Sequence, residues 1–300
     1  MKNYNFEYRY IAQTNDELKK ELTDKYHVNE FDIEDVFTET QLSKVERRPE
    51  YMYVALQFPE YAEDNRQFLA KEIHCFITDG SLLIIDKHNF KHIQQFDDWQ
   101  ATNQPTNLNS FQLFYEMFDF CINKSYRVIR KFNVEINQIE VDIFNFNSRP
   151  KDLLKDIMIT KRNLVNFASI IQPLQAVVEE IQQKHIKAFE NGDGLEAIDD
   201  SLDKIKKMVN NLKNFKEQVD TLSQTNENII IRNTNDVIKI LTIFNLFFLV
   251  PTTITSFFGM NIYFGWKIED SGLGPLIGIC LSILFLLAGT IWLIRKKKLI

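Results

Sequence analysis

Cysteine is scarce and scattered. The 300 residues hold three, Cys75, Cys121 and Cys280, with no CxxC and no metal-ligand spacing. That excludes a disulfide framework and a zinc ribbon, and leaves ordinary buried thiols in a reducing compartment. Histidine is as sparse. His27, His74, His88, His92 and His185 share no spacing with acids or cysteines, so no metalloenzyme centre is legible. No Gly-rich phosphate loop is present, so neither ATP chemistry nor an organic cofactor is expected, and the chain reads as no enzyme. The N-terminus lacks an apolar run of the signal-peptide kind, so no cleavable signal is expected. Two further absences matter most. Glycine and proline are missing from Leu195 to Val250, and charge is missing from Ile240 to Asn261.

What is present is unevenly charged. Of 35 Lys and Arg, five lie in residues 267–300, with two of the 41 acids; the preceding part keeps 30 basic residues against 39 acidic ones. So acidic a part is a poor nucleic-acid binder and a plausible place for cations.

Ile240–Asn261 reads ILTIFNLFFLVPTTITSFFGMN, 22 residues, enough to cross a hydrocarbon core as a helix. Neutral polar side chains interrupt it. With about 100° per residue and Asn245 as the origin, Thr252 falls near −20° and Ser256 near +20°. Ile238, Leu241 and Leu249 lie within about 40° of the same line. One stripe thus alternates apolar and polar residues, while Phe244, Phe247, Phe248 and Phe257 point mostly elsewhere. Two readings follow: the polar groups bond their own helix or seal a helix contact, or copies of the helix surround a wet pore. Pro251 defeats neither, because water or neighbours can satisfy a freed carbonyl in a membrane.

Upstream, Tyr4–Ile11 alternates as a strand. Asn15–Lys25 and Asn29–Thr38 read as short helices. Tyr51–Phe58, Glu72–Thr78 and Leu82–Asp86 are strand-like, with Asp79-Gly80 as a hairpin turn. Phe90–Gln100 is helical. Residues 1–105 are therefore expected to form an α+β domain, a mixed sheet flanked by helices. After Pro105, Phe111, Phe114, Phe118, Ile122, Ile129, Phe132, Ile136, Ile139, Ile143 and Phe146 recur at steps of mostly three or four, one long amphipathic helix. Ser148 and Pro150 suit the start of the next, which runs to about Glu190 with a kink at Pro173. These paired helices occupy 106–194 and close on a turn at Asn191–Gly194. A stalk, 195–236, keeps the rhythm through Leu195, Ile198, Leu202, Ile205, Val209, Leu212, Phe215, Val219, Leu222 and Ile229, and flows without a break into the first span, 237–261. Stalk and span together predict one helix of roughly 95 Å.

A second span, 273–294, follows a loop at 262–272. Arg295–Lys298 succeeds it at once, in a basic tail at 295–300. Four basic residues place that side in the cytoplasm, with both termini inside and the loop outside. The cluster also suits anionic headgroups.

Gly259-Met260-Asn261, closing the first of two C-terminal spans ahead of a basic tail, resembles the CorA-type divalent-cation channels. Ile33-Glu34-Asp35-Val36 followed by Lys44-Val45-Glu46 is similar to that family's N-terminal pattern. So are Arg149-Pro150, Lys161-Arg162-Asn163-Leu164 and Pro173-Leu174 in the paired helices. Asn235-Asp236-Val237 leading into Leu241-Thr242-Ile243 resembles the inner approach to the family's pore. One departure is the outer loop, Ile262–Asp270, which lacks the Met-Pro-Glu stretch of many members; Glu269 or Asp270 stands nearest to that acid. A related branch carries zinc.

The resemblance implies a homopentameric funnel in the cell membrane that passes divalent cations, Mg2+ foremost and Co2+ or Ni2+ besides. It implies a selectivity filter at Gly259, Met260 and Asn261. Asn235, Asn245, Thr252 and Ser256 would line the pore, with Ile238, Leu241 and Leu249 as its dry constrictions. Asn235 sits about 80° off the stripe on a straight helix. The family closes when cytoplasmic cation binds acids between subunits; Asp199, Asp200 and Asp203 are the candidates, facing Glu60, Glu63 or Asp64. The partners expected are copies of the chain, the bilayer and divalent cations, without nucleic acid. A zinc transporter on the same scaffold and a non-transporting, membrane-anchored signalling protein are the alternatives.

Overall fold

The computed structural model describes residues 5–38, 42–103, 108–145, 150–184 and 193–259, with nine helical residues between 277 and 289. Met260, Asn261, the outer loop with Glu269 and Asp270, most of the second span and the basic tail lie outside the described residues. The chain divides into two units, Met1–Ser223 and Gln224–Ile300.

Five strands of the first unit form one sheet in the order β1-β5-β4-β3-β2. β1 (Glu7–Ile11) and β5 (Ser81–Ile85) are parallel, from Glu7 opposite Ser81 to Ile11 opposite Ile85. β5 pairs antiparallel with β4 (Gln67–Thr78), β4 with β3 (Met52–Ala62), and β3 with β2 (Lys44–Arg47). This is the mixed sheet expected. Asp79-Gly80 makes the expected hairpin, with Thr78 opposite Ser81, and the Gly80 carbonyl accepts from the Glu7 N–H at 2.9 Å, which ties β1 to the same turn.

Two features of the sheet differ from expectation. β3 and β4 run on past Phe58 and start before Glu72, pairing out to Ala62 opposite Gln67. Pro59 argues against a strand, yet β2 reaches only as far as Ala55. Beyond that point β3 is an edge, where a missing N–H breaks no ladder on the open side. β2 itself went unrecognised. Three of its four residues are charged and only Val45 is buried, the composition of an edge strand that pairing, not propensity, creates.

Both faces of the sheet are covered, and Met52–Leu56 and Leu82–Ile85 are buried throughout. On one face lie α1 (Asp16–Asp24) and α2 (Glu30–Phe37), whose Leu18, Leu22, Ile33 and Val36 pack with Tyr53, Ala55, Phe76 and Leu83. Each helix starts on an asparagine: Asn15 Oδ1 accepts from Leu18 N–H at 2.8 Å and Asn29 Oδ1 from Phe31 N–H at 3.0 Å. Within α2, Asp32 is buried and receives Arg48 Nε at 2.9 Å, Arg48 Nη2 at 2.6 Å and the Tyr51 hydroxyl at 2.6 Å. α3 (Lys91–Asn103) follows Asp86, whose carboxylate accepts from the Phe90 and His88 N–H groups and the Tyr10 hydroxyl.

The other side is built by α4 (Ser110–Phe144) and α5 (Pro150–Lys184). α4 opens on a capping box between Asn109 and Gln112. Its predicted stripe from Phe114 to Ile143 is buried. Phe167 of α5 meets Phe68 of β4 and Phe132 of α4 edge-on, with ring centroids 5.1 Å and 5.6 Å away. Rings in that arrangement gain about 0.5–1.5 kcal/mol each beyond their burial. Pro173 lies within α5 without ending it.

α6 (Asp193–Phe258) is one helix of 66 residues. Ile198, Leu202, Ile205, Leu212 and Val219 of the expected seam are buried, and Met208 with them. The turn expected at Asn191–Gly194 is corrected in its second half. Asp193 and Gly194 are already helical, because a glycine in a helix costs only about 1 kcal/mol relative to alanine, which a long helix absorbs. Asn191 and Gly192 lie outside the described residues.

Candidate functional site

The span read as a pore helix is the C-terminal part of α6, in the unit that starts at Gln224. Its large apolar side chains are exposed on all sides: Val237 by 65%, Leu241 by 59%, Phe244 by 58%, Phe248 by 66% and Phe257 by 51%. An apolar surface of that extent needs lipid or protein against it. Among the described residues, α6 is the one helix long and apolar enough to cross a membrane by length and composition. Pro251 sits within it without stopping it.

The polar groups of the span divide into two kinds. Thr242, Thr252 and Thr253 each donate their hydroxyl to the carbonyl four residues back, Ile238, Phe248 and Leu249, at 2.8, 2.7 and 2.8 Å. Thr255 donates to Pro251 at 3.0 Å and lies 3.1 Å from the Thr252 carbonyl. The donor of each hydroxyl is thereby used inside the helix, while its oxygen keeps lone pairs that can accept from water. The bonding of the helix to itself and the lining of a wet surface are therefore compatible for Thr252. Asn245 and Ser256 are exposed, as are Asn235, Ile238, Leu241 and Leu249. Asp236, beside Asn235, pairs with Lys239 at 3.0 Å one turn on.

The Gly259 N–H continues the helical ladder, donating to the Thr255 carbonyl at 2.8 Å, and its backbone is not in the left-handed region. A Cβ there would meet the Thr255 oxygen at 3.2 Å. Met260 and Asn261, expected with Gly259 to form the filter, lie outside the described residues.

The candidate sensing acids sit at the other end of α6, in the first unit. Asp199 accepts from Gln182 Nε2 of α5, Asp200 pairs with Lys204 at 2.5 Å, and Asp203 is exposed. Glu60 pairs with Lys71 at 3.4 Å; Glu63 and Asp64 are exposed at the end of the β3–β4 hairpin. Among the described residues, no three His, Cys, Asp or Glu side chains converge to hold a metal ion. Sequence reasoning missed the lysine beside Asp200. The Asp200–Lys204 spacing was legible as a helical ion pair. The second carboxylate on that lysine, Asp119 of α4 at 2.9 Å, is 85 residues away and left no local signal.

A profile of the family described as "CorA-like Mg2+ transporter protein" matches residues 8–296. The "Cobalt/magnesium transport protein CorA" of Thermotoga maritima is 22% identical over 232 residues, covering 76% of this chain and 65% of that protein. The match thus spans just under two thirds of that relative's length. Among solved structures, "The complete structure of CorA magnesium transporter from Methanocaldococcus jannaschii" is similar at a TM-score of 0.82 and 17% identity, covering 99% of this chain and 92% of the other. The "Crystal structure of ZntB cytoplasmic domain from Vibrio parahaemolyticus" is similar at a TM-score of 0.63 and 11% identity, covering 75% of this chain and 88% of the other. At such identities the two structures establish the fold: a soluble domain with a mixed sheet, followed by a long helix.

Proposed function

The chain belongs to the CorA-like Mg2+ transporter family, and from that premise we propose that it conducts hydrated divalent cations, Mg2+ first, through a pore lined by copies of α6. The family is one of divalent-cation transporters, and transport needs no catalytic centre in this chain. The observation that carries the reading is the one face of α6 on which Asn245, Thr252 and Ser256 alternate with Ile238, Leu241 and Leu249. The exposed apolar residues around it suit lipid and neighbouring copies.

Mg2+ sheds its waters reluctantly. A ring of carboxamides accepts hydrogen bonds from those waters without stripping them. Asn261 at the outer mouth would select such an ion by size and geometry. Carboxylates would hold it more tightly and release it more slowly, and conduction needs release. Asn235, Asn245, Thr252 and Ser256 act as further polar rings. Ile238, Leu241 and Leu249 act as constrictions that close by dewetting. An inside-negative potential supplies about 4.6 kcal/mol per 100 mV for a divalent ion, which drives it inward.

The assembly we assign is a homopentamer in the plasma membrane, with both termini and the sheet domain in the cytoplasm. Asn261→Ala tests the filter. In liposomes loaded with a fluorescent indicator, the variant should assemble like wild type and lose Mg2+ uptake. Undiminished uptake would overturn the assignment. Running Mg2+, Co2+, Ni2+ and Zn2+ in parallel decides between this reading and a zinc transporter, which the likeness to the ZntB domain keeps in view. Absence of every flux would leave the membrane-anchored signalling role.

A further inference from the structure

The first turns of α6 are joined to α4 by a lysine set among carboxylates. Lys204 Nζ lies 2.9 Å from Asp119 Oδ1 on α4 and 2.5 Å from Asp200 Oδ2 one turn back on α6. Ser201 Oγ donates to the same Asp119 oxygen at 3.0 Å, and Asn123 Nδ2 to the other at 2.6 Å. Lys204 is 21% exposed and Asp119 31%, so water screens this pair only in part. Burial opposes the charge on Lys204, but its hydrogen bonds to Asp200 and Asp119 outweigh that and raise its pKa. Glu116, one turn back from Asp119, is pushed up in pKa by burial first and by the Asp119 charge second.

Two carboxylates therefore share one ammonium at this joint, and without it Asp119 and Asp200 would face each other across two helices. Two carboxylates from different helices within 3 Å of one cationic centre are also what a hard divalent ion uses, at carboxylate distances of about 2.0–2.6 Å. The lysine nitrogen stands where such an ion would be held. Asp200 is the exposed member of the joint, at 64%, so the part-buried contact across the two helices is the one between Lys204 and Asp119.

We infer that Lys204 is a built-in cation that fastens the start of α6 to α4, so that this joint closes without a metal ion. Asp200 is thereby withdrawn from the acids that could answer to cytoplasmic cation. Lys204 is a positioning residue for the long helix. The joint itself does not rest on the transport reading; only its consequence for flux does.

Thermal unfolding of the full chain in detergent tests it, in chelator and in millimolar Mg2+. Lys204→Met should melt several degrees below wild type in chelator. Mg2+ should restore part of that loss, so its Mg2+-induced rise exceeds the wild-type rise. Adding Asp119→Asn to Lys204→Met should return the Mg2+-induced rise to the wild-type size, and Lys204→Arg should behave as wild type throughout. Should Lys204→Met not fold in chelator, Lys204→Gln, which can still donate to Asp119, carries the same expectation. A Mg2+-induced rise equal to wild type in Lys204→Met or Lys204→Gln would overturn the inference. Absence of any divalent flux from the wild type, with the extra rise intact in Lys204→Met, would count against the transport reading alone.

Discussion

Thr252 and Phe248 are tied within one turn of α6: the threonine hydroxyl donates to the phenylalanine carbonyl at 2.7 Å. Thr253 and Leu249 repeat that bond at 2.8 Å one residue on. The two threonines are locally alike but lie about 100° apart around the helix. Only Thr252 falls on the stripe with Asn245 and Ser256. They form a matched pair for separating the pore face from the rest of the span.

Thr252→Val keeps the shape and removes the hydroxyl. If the oxygen accepts from the waters of a passing ion, its loss should raise the barrier by about 1 kcal/mol, the net value of an ordinary hydrogen bond, and lower Mg2+ flux roughly fivefold. Thr253→Val should leave flux near wild type, since its hydroxyl serves only its own helix. Liposome flux at equal reconstitution checks both. Equal losses in the two variants would show that the helix, not a lined pore, feels the change.

Asp32 gives a pH dependence to the soluble domain. Burial, its largest influence, pushes the carboxyl pKa up, but hydrogen bonds from Arg48 and Tyr51 and the Arg48 charge outweigh it and hold the value below the ordinary range. A depressed carboxylate adds stability that is complete above its unfolded pKa and is lost as pH falls through the folded one. Asp32→Asn should therefore destabilise at neutral pH by about 1–2 kcal/mol, since the hydrogen bonds from Arg48 and Tyr51 lose their charged acceptor while Arg48, 31% exposed, keeps water. The gap to wild type should narrow steadily below the usual aspartate range. Urea unfolding of both proteins across acid and neutral pH reads it, and a gap independent of pH would show that the pair's charge is not what matters.

Much of this was legible because the deciding signals are local. Asn15, Asn29 and Asp79-Gly80 mark starts and turns through their own side chains and backbone. The seam from Ile198 to Val219 shows by its period, and the unbroken helix from Leu195 to Val250 follows from the absence of glycine and proline there. The family resemblance rested on Gly259-Met260-Asn261 and scattered motifs, and the profile match over residues 8–296 bears it out. Non-local contacts hid the rest. β2 is a strand only because Lys44–Arg47 pairs with Met52–Ala55. Nothing in the sequence adjacent to Asp200 announces Asp119, the acid that shares Lys204 with it.

Leu249 offers the sharpest test of closure. It lies within about 40° of the polar stripe, between Asn245 and Thr252, and is exposed on its helix. A ring of leucines of this kind closes a narrow pore by expelling water, because an apolar wall offers a hydrated ion no hydrogen bonds in exchange for those it loses. Leu249→Asn replaces that wall with a side chain of nearly equal size that both donates and accepts. The constriction should then stay wet. If cytoplasmic cation closes the pore, as the family resemblance implies, flux at high internal Mg2+ should rise severalfold, while flux at low internal Mg2+ changes little. The asymmetry separates gating from filtering: a change in the filter would move both conditions together. An unaltered closed-state leak, with the variant assembled and conducting, would remove Leu249 from the gate and leave Ile238 or Leu241 to supply it.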